Sequence, residues 1–160
     1  MSTNTEQTQE DVIDDLNFYA MAIIELVEKV NEVSKRHGEG FIPGRNELTE
    51  NRWITIGGPR QTGKSAAIAE LATPSDLLLC KNEEQIKNVI NKSLNKGLDG
   101  FMLSSAVING NVDLAYGEMF DKIWVDDASV VFADPAVKTA FIDWVMVNYE
   151  DKLPIVICVG

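Results

Sequence analysis

Eight consecutive residues, Gly58 to Ser65, have the types and spacing of a phosphate-binding loop. They read GPRQTGKS and match the pattern GxxxxGK[ST]. Glycines let the backbone curl so that successive N–H groups point inward at phosphate oxygens. We expect Lys64 to reach the β- and γ-phosphates of a nucleotide and the Ser65 hydroxyl to bind Mg²⁺. The alternative is a glycine-rich turn with a solvated lysine. The predicted nucleotide-binding residues are Gly58, Pro59, Arg60, Gln61, Thr62, Gly63, Lys64, Ser65 and Ala66.

An acidic pair, Asp126 and Asp127, is the second chemical candidate. It follows the apolar residues Ile123, Trp124 and Val125, which predict a buried strand. That strand would deliver Asp126 at its carboxyl end, where ligands collect in an open α/β sheet. We expect Asp126 to hold Mg²⁺, directly or through water, and Asp127 to polarise an attacking water. The alternative is a solvated acidic turn after a strand.

Residues 52–160 alternate apolar runs with helix-like segments, and these elements must position both motifs. Continuous apolar strands between helices predict an α/β fold with a mainly parallel sheet. A strand before the glycine-rich loop and a helix after it are the setting that a phosphate loop requires, so this region is predicted to be a P-loop NTPase core. The predicted strands are WITI, DLLLC, KIWVDD and LPIVICVG, with GFMLSSAVI as a candidate; the predicted helices are Gly63–Ala72, NEEQIKNVINKSLNKG and DPAVKTAFIDWVMVNYE.

The first 51 residues are predicted to be a disordered tail over 1–10, a helix over 11–40 that ends near His37, and a linker over 41–51. Apolar residues in the helix recur at alternating spacings of four and three from Val12 to Val33. This period is typical of a coiled-coil seam, but an amphipathic helix packed on its own domain has the same pattern. The sequence leaves open whether the stripe packs within the chain or forms a partner or self-association surface.

Composition excludes several classes of function. The 160 residues carry a formal net charge of −11, so no basic footprint of a stand-alone nucleic-acid binder is present. One histidine, His37, and two separated cysteines, Cys80 and Cys158, do not form a Ser-His-Asp site or a zinc spacing; we expect reduced core thiols. The polar, acidic start and the lack of an apolar run of about 18 residues predict no signal peptide or membrane span and a cytoplasmic protein.

Several phosphate-loop families are disfavoured by particular residues. A GTPase would carry an N-K-x-D guanine-reading motif, but NKSL and NKGL lack its aspartate. A small-molecule kinase would bring arginines from a lid, and no arginine follows Arg60. A strand between the loop and the Asp126 strand, with two acids after the latter, favours the ATPase branch that adds a strand and uses an adjacent acid as base.

Two segments resemble the large terminase subunits of tailed phages, which are DNA-packaging motors. NRWITIGGPRQTGKS resembles their phosphate-loop segment, and KIWVDDASVVF is similar to their acidic strand. LPIVICVG falls where those ATPases place the next strand and a coupling motif. The resemblance implies a viral protein of the host cytoplasm. It also implies that Arg60 is an arginine finger supplied in cis to the γ-phosphate; the alternative is that Arg60 faces solvent.

The chain departs from that family's pattern at five points. The family's catalytic glutamate is Asp127 here, the coupling motif reads Cys158-Val159-Gly160, and only Asn46 and Asn51 stand where an adenine-reading Gln is usual. We also expect no nuclease domain and a core one strand short of the usual five.

We therefore expect a P-loop ATPase that binds ATP with Mg²⁺ and hydrolyses ATP slowly as part of a larger assembly. We expect it to contact nucleic acid only within such an assembly. The first alternative is a nucleotide-dependent protein-binding module without significant turnover, with a protein partner or a second copy bound through the N-terminal helix. A nucleotide kinase is less favoured because the arginine-bearing lid is missing.

Overall fold

The computed structural model describes residues 3–37, 44–57, 64–95, 104–107, 119–149 and 152–160. Its strands match the predicted apolar runs, and the candidate third strand is present. The strands are Trp53–Ile56 (β1), Leu77–Cys80 (β2), Ser104–Val107 (β3), Lys122–Asp126 (β4) and Ile155–Val159 (β5). The helices are Thr3–Lys35 (α1), Lys64–Leu71 (α2), Glu83–Asn95 (α3), Ala128–Val131 (α4) and Pro135–Asn148 (α5), with a short π-helical turn at Glu47–Asn51.

The strands form one sheet in the order β1-β5-β4-β2-β3, and every neighbouring pair is parallel. The predicted α/β fold with a mainly parallel sheet is therefore confirmed. The described sheet has five strands, so the expected shortfall of one strand does not appear in the strand count. β5 lies between β1 and β4, and its Val159 is in register with both Ile56 and Asp126.

Each face of the sheet has its own apolar core, which explains why the strands carry continuous apolar runs. On one face, Leu79 and Val125 pack with Phe141 and Val145 of α5. On the other face, Leu78 and Trp124 pack with residues of α1, α2 and α3. Helices therefore cover both faces, and the sheet is fixed between them.

Helix α1 begins at Thr3, ahead of the predicted start at Asp11, and so includes residues that the sequence assigns to a disordered tail. Over residues 18–37 its apolar stripe faces its own domain, with Ala20 and Ile23 buried in the core that α2 shares. Of the two interpretations of the stripe, packing within the chain is the one this part of the helix shows.

The outer face of α1 also carries apolar residues. Phe18 and Met21 are each 67% exposed, and Ile24 is 46% exposed. None of the described helices is long and apolar enough to cross a membrane.

The end of α1 is tied to the sheet by a buried arginine just before β1. The Arg52 guanidinium donates to Ser34 Oγ in α1 and, at 3.3 Å, to the carbonyl of Pro154 before β5. Burial lowers the pKa of Arg52, and the neighbouring Glu47 carboxylate opposes that shift. His37, just after the end of α1, lies 3.1 Å from the same Glu47 carboxylate. These contacts fix α1 against β1 and β5.

Strand β4, which carries the acidic pair, is aligned with β2 by a buried aspartate at the other end of the sheet. Asp76 Oδ2 accepts hydrogen bonds from the Trp124 indole at 2.9 Å and from the Thr73 N–H at 3.0 Å. The ammonium of Lys122 lies 4.0 Å from the other oxygen, Oδ1. Because Asp76 precedes β2 and Trp124 and Lys122 lie within β4, this cluster joins the two strands near their amino ends.

Candidate functional site

The carboxyl ends of the parallel strands lie at one edge of the sheet, and the predicted motifs begin there. The chain leaves β1 at Ile56 and is described again from Lys64, the first residue of α2. The predicted residues Gly58, Pro59, Arg60, Gln61, Thr62 and Gly63 lie outside the described residues, so their roles stay predictions. Lys64, Ser65 and the buried Ala66 form the first turn of α2, the end of a helix where the backbone dipole favours anions.

The two residues predicted to hold Mg²⁺ are in contact. Ser65 Oγ lies 3.0 Å from Asp126 Oδ1 and 3.2 Å from Oδ2, although 61 positions separate them in sequence. Asp126 is only 7% exposed and ends β4, while Ser65 starts the helix that follows β1. The contact spans the edge of β5, the strand between them. A hydroxyl and a carboxylate are the hard oxygen donors that Mg²⁺ prefers.

Asp127 turns away from Asp126 and takes a different partner. Its backbone is left-handed, with φ 54° and ψ 51°, and it is the one non-glycine residue with positive φ in the described part of the chain. Aspartate tolerates this conformation better than most residues, and such backbone strain is often stored at functional sites. The Asp127 side chain does not cap α4. Its Oδ2 accepts a hydrogen bond of 3.3 Å from Gln85 Nε2.

Gln85, in the first turn of α3, lies at the candidate site, although the sequence motifs did not predict it. It comes to the acidic pair because α3 follows β2, which ends at the same edge of the sheet. A usable signal was present in the sequence: Asn82 and Gln85 have the spacing of a helix-capping pair directly after a buried strand. The Asn82 Oδ1 accepts from the Gln85 N–H at 2.9 Å, so this cap does form.

The end of β5 joins the two halves of the site through backbone contacts. The Gly160 N–H donates to the Ile56 carbonyl of β1 at 2.9 Å, and its carbonyl accepts from the Ser129 N–H of α4 at 2.9 Å. Gly160 has φ +91°, and a Cβ built there would lie 3.4 Å from Asp127 Cα. Of the predicted coupling residues, Cys158 and Val159 are buried strand residues. Val159 is in register with Asp126, and Gly160 lies against Asp127.

No known protein-family model matches the chain, and no curated protein matches it.

Both cysteines are free and buried, which confirms the expectation of reduced core thiols. Burial raises the pKa of Cys80 to about 12, and the carboxylates of Asp126 and Asp127 raise it further in the same direction. Burial also raises the pKa of Cys158 to about 12, against an opposing effect of Lys138 and of a hydrogen bond with Trp53. Both thiols are therefore neutral near pH 7, and neither serves as a thiolate nucleophile.

The two asparagines considered as adenine readers lie before β1, at the amino end of that strand. Asn46 precedes the π-helical turn, and Asn51 Nδ2 donates to Glu47 Oε2 within that turn at 2.7 Å. Since Lys64 and Asp126 are at the carboxyl edge, the structure does not bring either asparagine to the candidate site.

Among the described residues, no group of three or more His, Cys, Asp or Glu side chains is arranged to hold a metal ion.

Proposed function

We propose that this chain is a P-loop ATPase domain that binds ATP with Mg²⁺ at the carboxyl edge of its sheet and hydrolyses it slowly within a larger assembly. The observation that carries the proposal is the contact of Ser65 Oγ with Asp126 at 3.0 and 3.2 Å. The sequence picks out these two residues independently, one from the GxxxxGK[ST] pattern and one from the acid after an apolar strand.

Phosphate binding is the role we assign to the turn from Gly58 to Lys64 and to the first residues of α2. The supporting observation is that Lys64 and Ser65 open an eight-residue helix directly after β1, with the helix N-terminus at the carboxyl edge. Backbone N–H groups and the helix dipole both favour an anion at such a position. Lys64 adds a positive charge that would attract the β- and γ-phosphates.

Mg²⁺ would be held by Ser65 and Asp126, whose oxygens form a hard donor set. When bound, the ion neutralises charge on the phosphate oxygens. The chain's own contribution is to keep the Asp126 carboxylate buried at 7% exposure and in hydrogen-bond contact with the Ser65 hydroxyl. A carboxylate held in place loses little side-chain entropy when it takes up a ligand.

For hydrolysis, Asp127 is the residue we assign to polarise the attacking water. It directly follows Asp126, the proposed metal residue, and its backbone is left-handed. The two carboxylates contact different side chains, Asp126 that of Ser65 and Asp127 that of Gln85. Arg60 is assigned, through the terminase resemblance alone, as an arginine finger in cis. Aspartate is one methylene shorter than the glutamate of the similar ATPases, and a base about 1 Å out of place can cost of order 10²-fold in rate, which is why slow turnover is proposed.

The second candidate is a nucleotide-dependent protein-binding module, and one feature of the packing favours it. Helix α2 begins at the proposed nucleotide site, and its buried Ala67 and Ile68 share a core with Ala20 and Ile23 of α1. A change in the position of the start of α2 would therefore alter its packing against α1. The outer face of α1 exposes apolar side chains. We assign a protein partner, or a second copy of the chain, to that face. A nucleotide kinase stays the least favoured reading because no arginine follows Arg60.

The proposal is tested by calorimetric titration of ATP with Mg²⁺ into the wild type and Lys64→Ala. We expect the substitution to abolish binding or weaken it at least about tenfold, because it removes the charge that meets the phosphates. Lys87→Ala, at an exposed position of α3, is the matched control and should bind as the wild type does. Circular dichroism of all three proteins checks the fold, and equal affinity of Lys64→Ala and wild type contradicts the nucleotide proposal.

Turnover separates the two candidates. Phosphate release from ATP, measured with and without DNA, should be slow but saturable for the ATPase. Tight ATP binding with no phosphate release under either condition would favour the protein-binding module instead.

A further inference from the structure

The side chain of Gln85 is held at both ends. Its Oε1 accepts a hydrogen bond from the Lys81 N–H at 3.2 Å, directly after β2. Its Nε2 donates to Asp127 Oδ2 at 3.3 Å, directly after β4. A backbone N–H only donates and a carboxylate only accepts, so these two partners determine which end of the amide faces which neighbour. The backbone N–H of Gln85 is itself fixed by the Asn82 cap at 2.9 Å.

The two acids of the pair are therefore held by two different helices. Asp126 meets Ser65 at the start of α2, and Asp127 meets Gln85 at the start of α3. Both Gln85 and Asp127 are partly buried, so the contact is sheltered without being closed to solvent. Because the two contacts share no side chain, one of them can be removed while the other stays in place.

We propose that Gln85 is a positioning residue for hydrolysis: its amide orients the Asp127 carboxylate and has no part in binding the nucleotide. This inference rests on the proposed function of Asp127. A short acid on a left-handed turn has few ways to reach a water, so the direction of its carboxylate matters. Gln85 supplies that direction from a backbone-anchored amide.

The first test compares Gln85→Met with the wild type in steady-state ATP hydrolysis. Methionine keeps the unbranched side chain and helix propensity but removes the amide donor. We expect kcat to fall at least about tenfold, since a carboxylate that loses its orientation by about 1 Å loses up to 10²-fold in rate. We expect KM and the Kd for ATP to stay within about twofold, because Lys64, Ser65 and Asp126 are untouched. Asn88→Met, an amide removed from an exposed position of the same helix, is the control.

The second test is a rescue by reciprocal change of length. Gln85→Asn shortens one side of the contact by a methylene, and Asp127→Glu lengthens the other by the same amount. We expect Gln85→Asn alone to be slow, and the double variant to recover at least about tenfold in kcat over it. The reference is Asp127→Glu in the wild-type background. If Gln85 acted only at the start of α3, Asp127→Glu would change kcat by the same factor in the wild type and in Gln85→Asn, and no extra recovery would be seen.

A third measurement needs no turnover. The side-chain amide resonances of Gln85 in a ¹⁵N–¹H spectrum of the nucleotide-free protein should move in Asp127→Asn and stay unchanged in Lys64→Ala. The inference is overturned if the Gln85 resonances do not move in Asp127→Asn. It is also overturned if Gln85→Met keeps the wild-type kcat, or if Gln85→Met weakens the Kd for ATP and leaves kcat unchanged. Failure of the proposed function would give a different result. The wild type would then show no saturable ATP binding, while the Gln85 amide resonances would still move in Asp127→Asn.

Discussion

Asp126→Asn separates the chemical role of the acidic pair from its structural role. Asparagine has the shape of aspartate, and it can keep the contact with Ser65 Oγ either by accepting or by donating. Asp126 is 7% exposed, so the wild type buries a charge at this position. Because a buried amide costs less than a buried carboxylate, we expect the free energy of unfolding of the nucleotide-free protein to be unchanged or raised, by about 1 kcal/mol at most.

Its effect on Mg²⁺ is expected to be much larger. Two unit charges about 4 Å apart attract by about 1 kcal/mol in bulk water, so a divalent ion loses about 2 kcal/mol when the carboxylate is neutralised. That figure is a lower bound at this site, because a group with 7% exposure is screened less than in bulk water. About 2 kcal/mol corresponds to about 30-fold in affinity. The gain in ATP affinity that Mg²⁺ brings should therefore fall by at least about tenfold.

The assay is the ratio of the Kd for ATP without Mg²⁺ to the Kd with it, measured by calorimetry. Thermal unfolding gives a second readout: a ligand at 100 times its Kd adds about 2.7 kcal/mol. For a domain of this size that amounts to a rise in Tm of about 5–11 °C. We expect this rise in the wild type and only a small part of it in Asp126→Asn at the same concentrations. Asp121→Asn, an exposed aspartate just before the amino end of β4, is the matched control.

Two results would refute the reasoning. If Asp126→Asn keeps the wild-type Kd ratio, Asp126 is not the metal residue. If the nucleotide-free variant loses more than about 3 kcal/mol, the carboxylate is primarily structural. Ser65→Ala then serves as the second variant: it keeps the charge of Asp126, removes the hydroxyl, and should lower the Kd ratio in the same direction.

Three further predictions concern the acid, the helix and the thiols. Asp127→Ala should eliminate phosphate release while Asp127→Glu keeps or raises it; normal turnover in Asp127→Ala would mean that the base lies elsewhere. Deleting residues 1–40 should leave the protein insoluble, because burial of Ile23 alone contributes about 1.5–3 kcal/mol to a free energy of unfolding that is typically about 5–15 kcal/mol. The double variant Phe18→Gln with Met21→Gln should keep the fold and reduce any self-association measured by light scattering. Cys80 and Cys158, whose pKa burial raises from an ordinary value of 9.0 to about 12, should resist iodoacetamide at pH 8 until the protein is unfolded. Since the folded thiols hold their protons more tightly than the unfolded ones, the free energy of unfolding should fall as pH rises from 9.0 toward 12.

The sequence by itself determines the class of fold, because its signals are local. Buried strands such as WITI and DLLLC need only a few consecutive apolar residues, and capping residues such as Asp134 mark where a helix begins. The phosphate-loop assignment for Gly58–Gly63 rests on the sequence alone as well. The sequence did not predict one short helix: ASVV is apolar and contains two β-branched residues, but Ala128–Val131 is helical. That helix begins at the left-handed turn of Asp127, and its Ser129 N–H donates to the carbonyl of Gly160, the residue after β5.

Tertiary structure alone decides which of these residues meet. The order β1-β5-β4 brings Ser65 to Asp126 across 61 positions, and no local pattern encodes a strand order. It also decides between the two interpretations of the α1 stripe over residues 18–37, because a seam and a core-facing stripe have the same period and differ only in what lies opposite. The Gln85 contact with Asp127 is of the same kind. A hydrogen bond between side chains that follow different strands depends on the order and register of those strands, and these are properties of the packed sheet rather than of either segment.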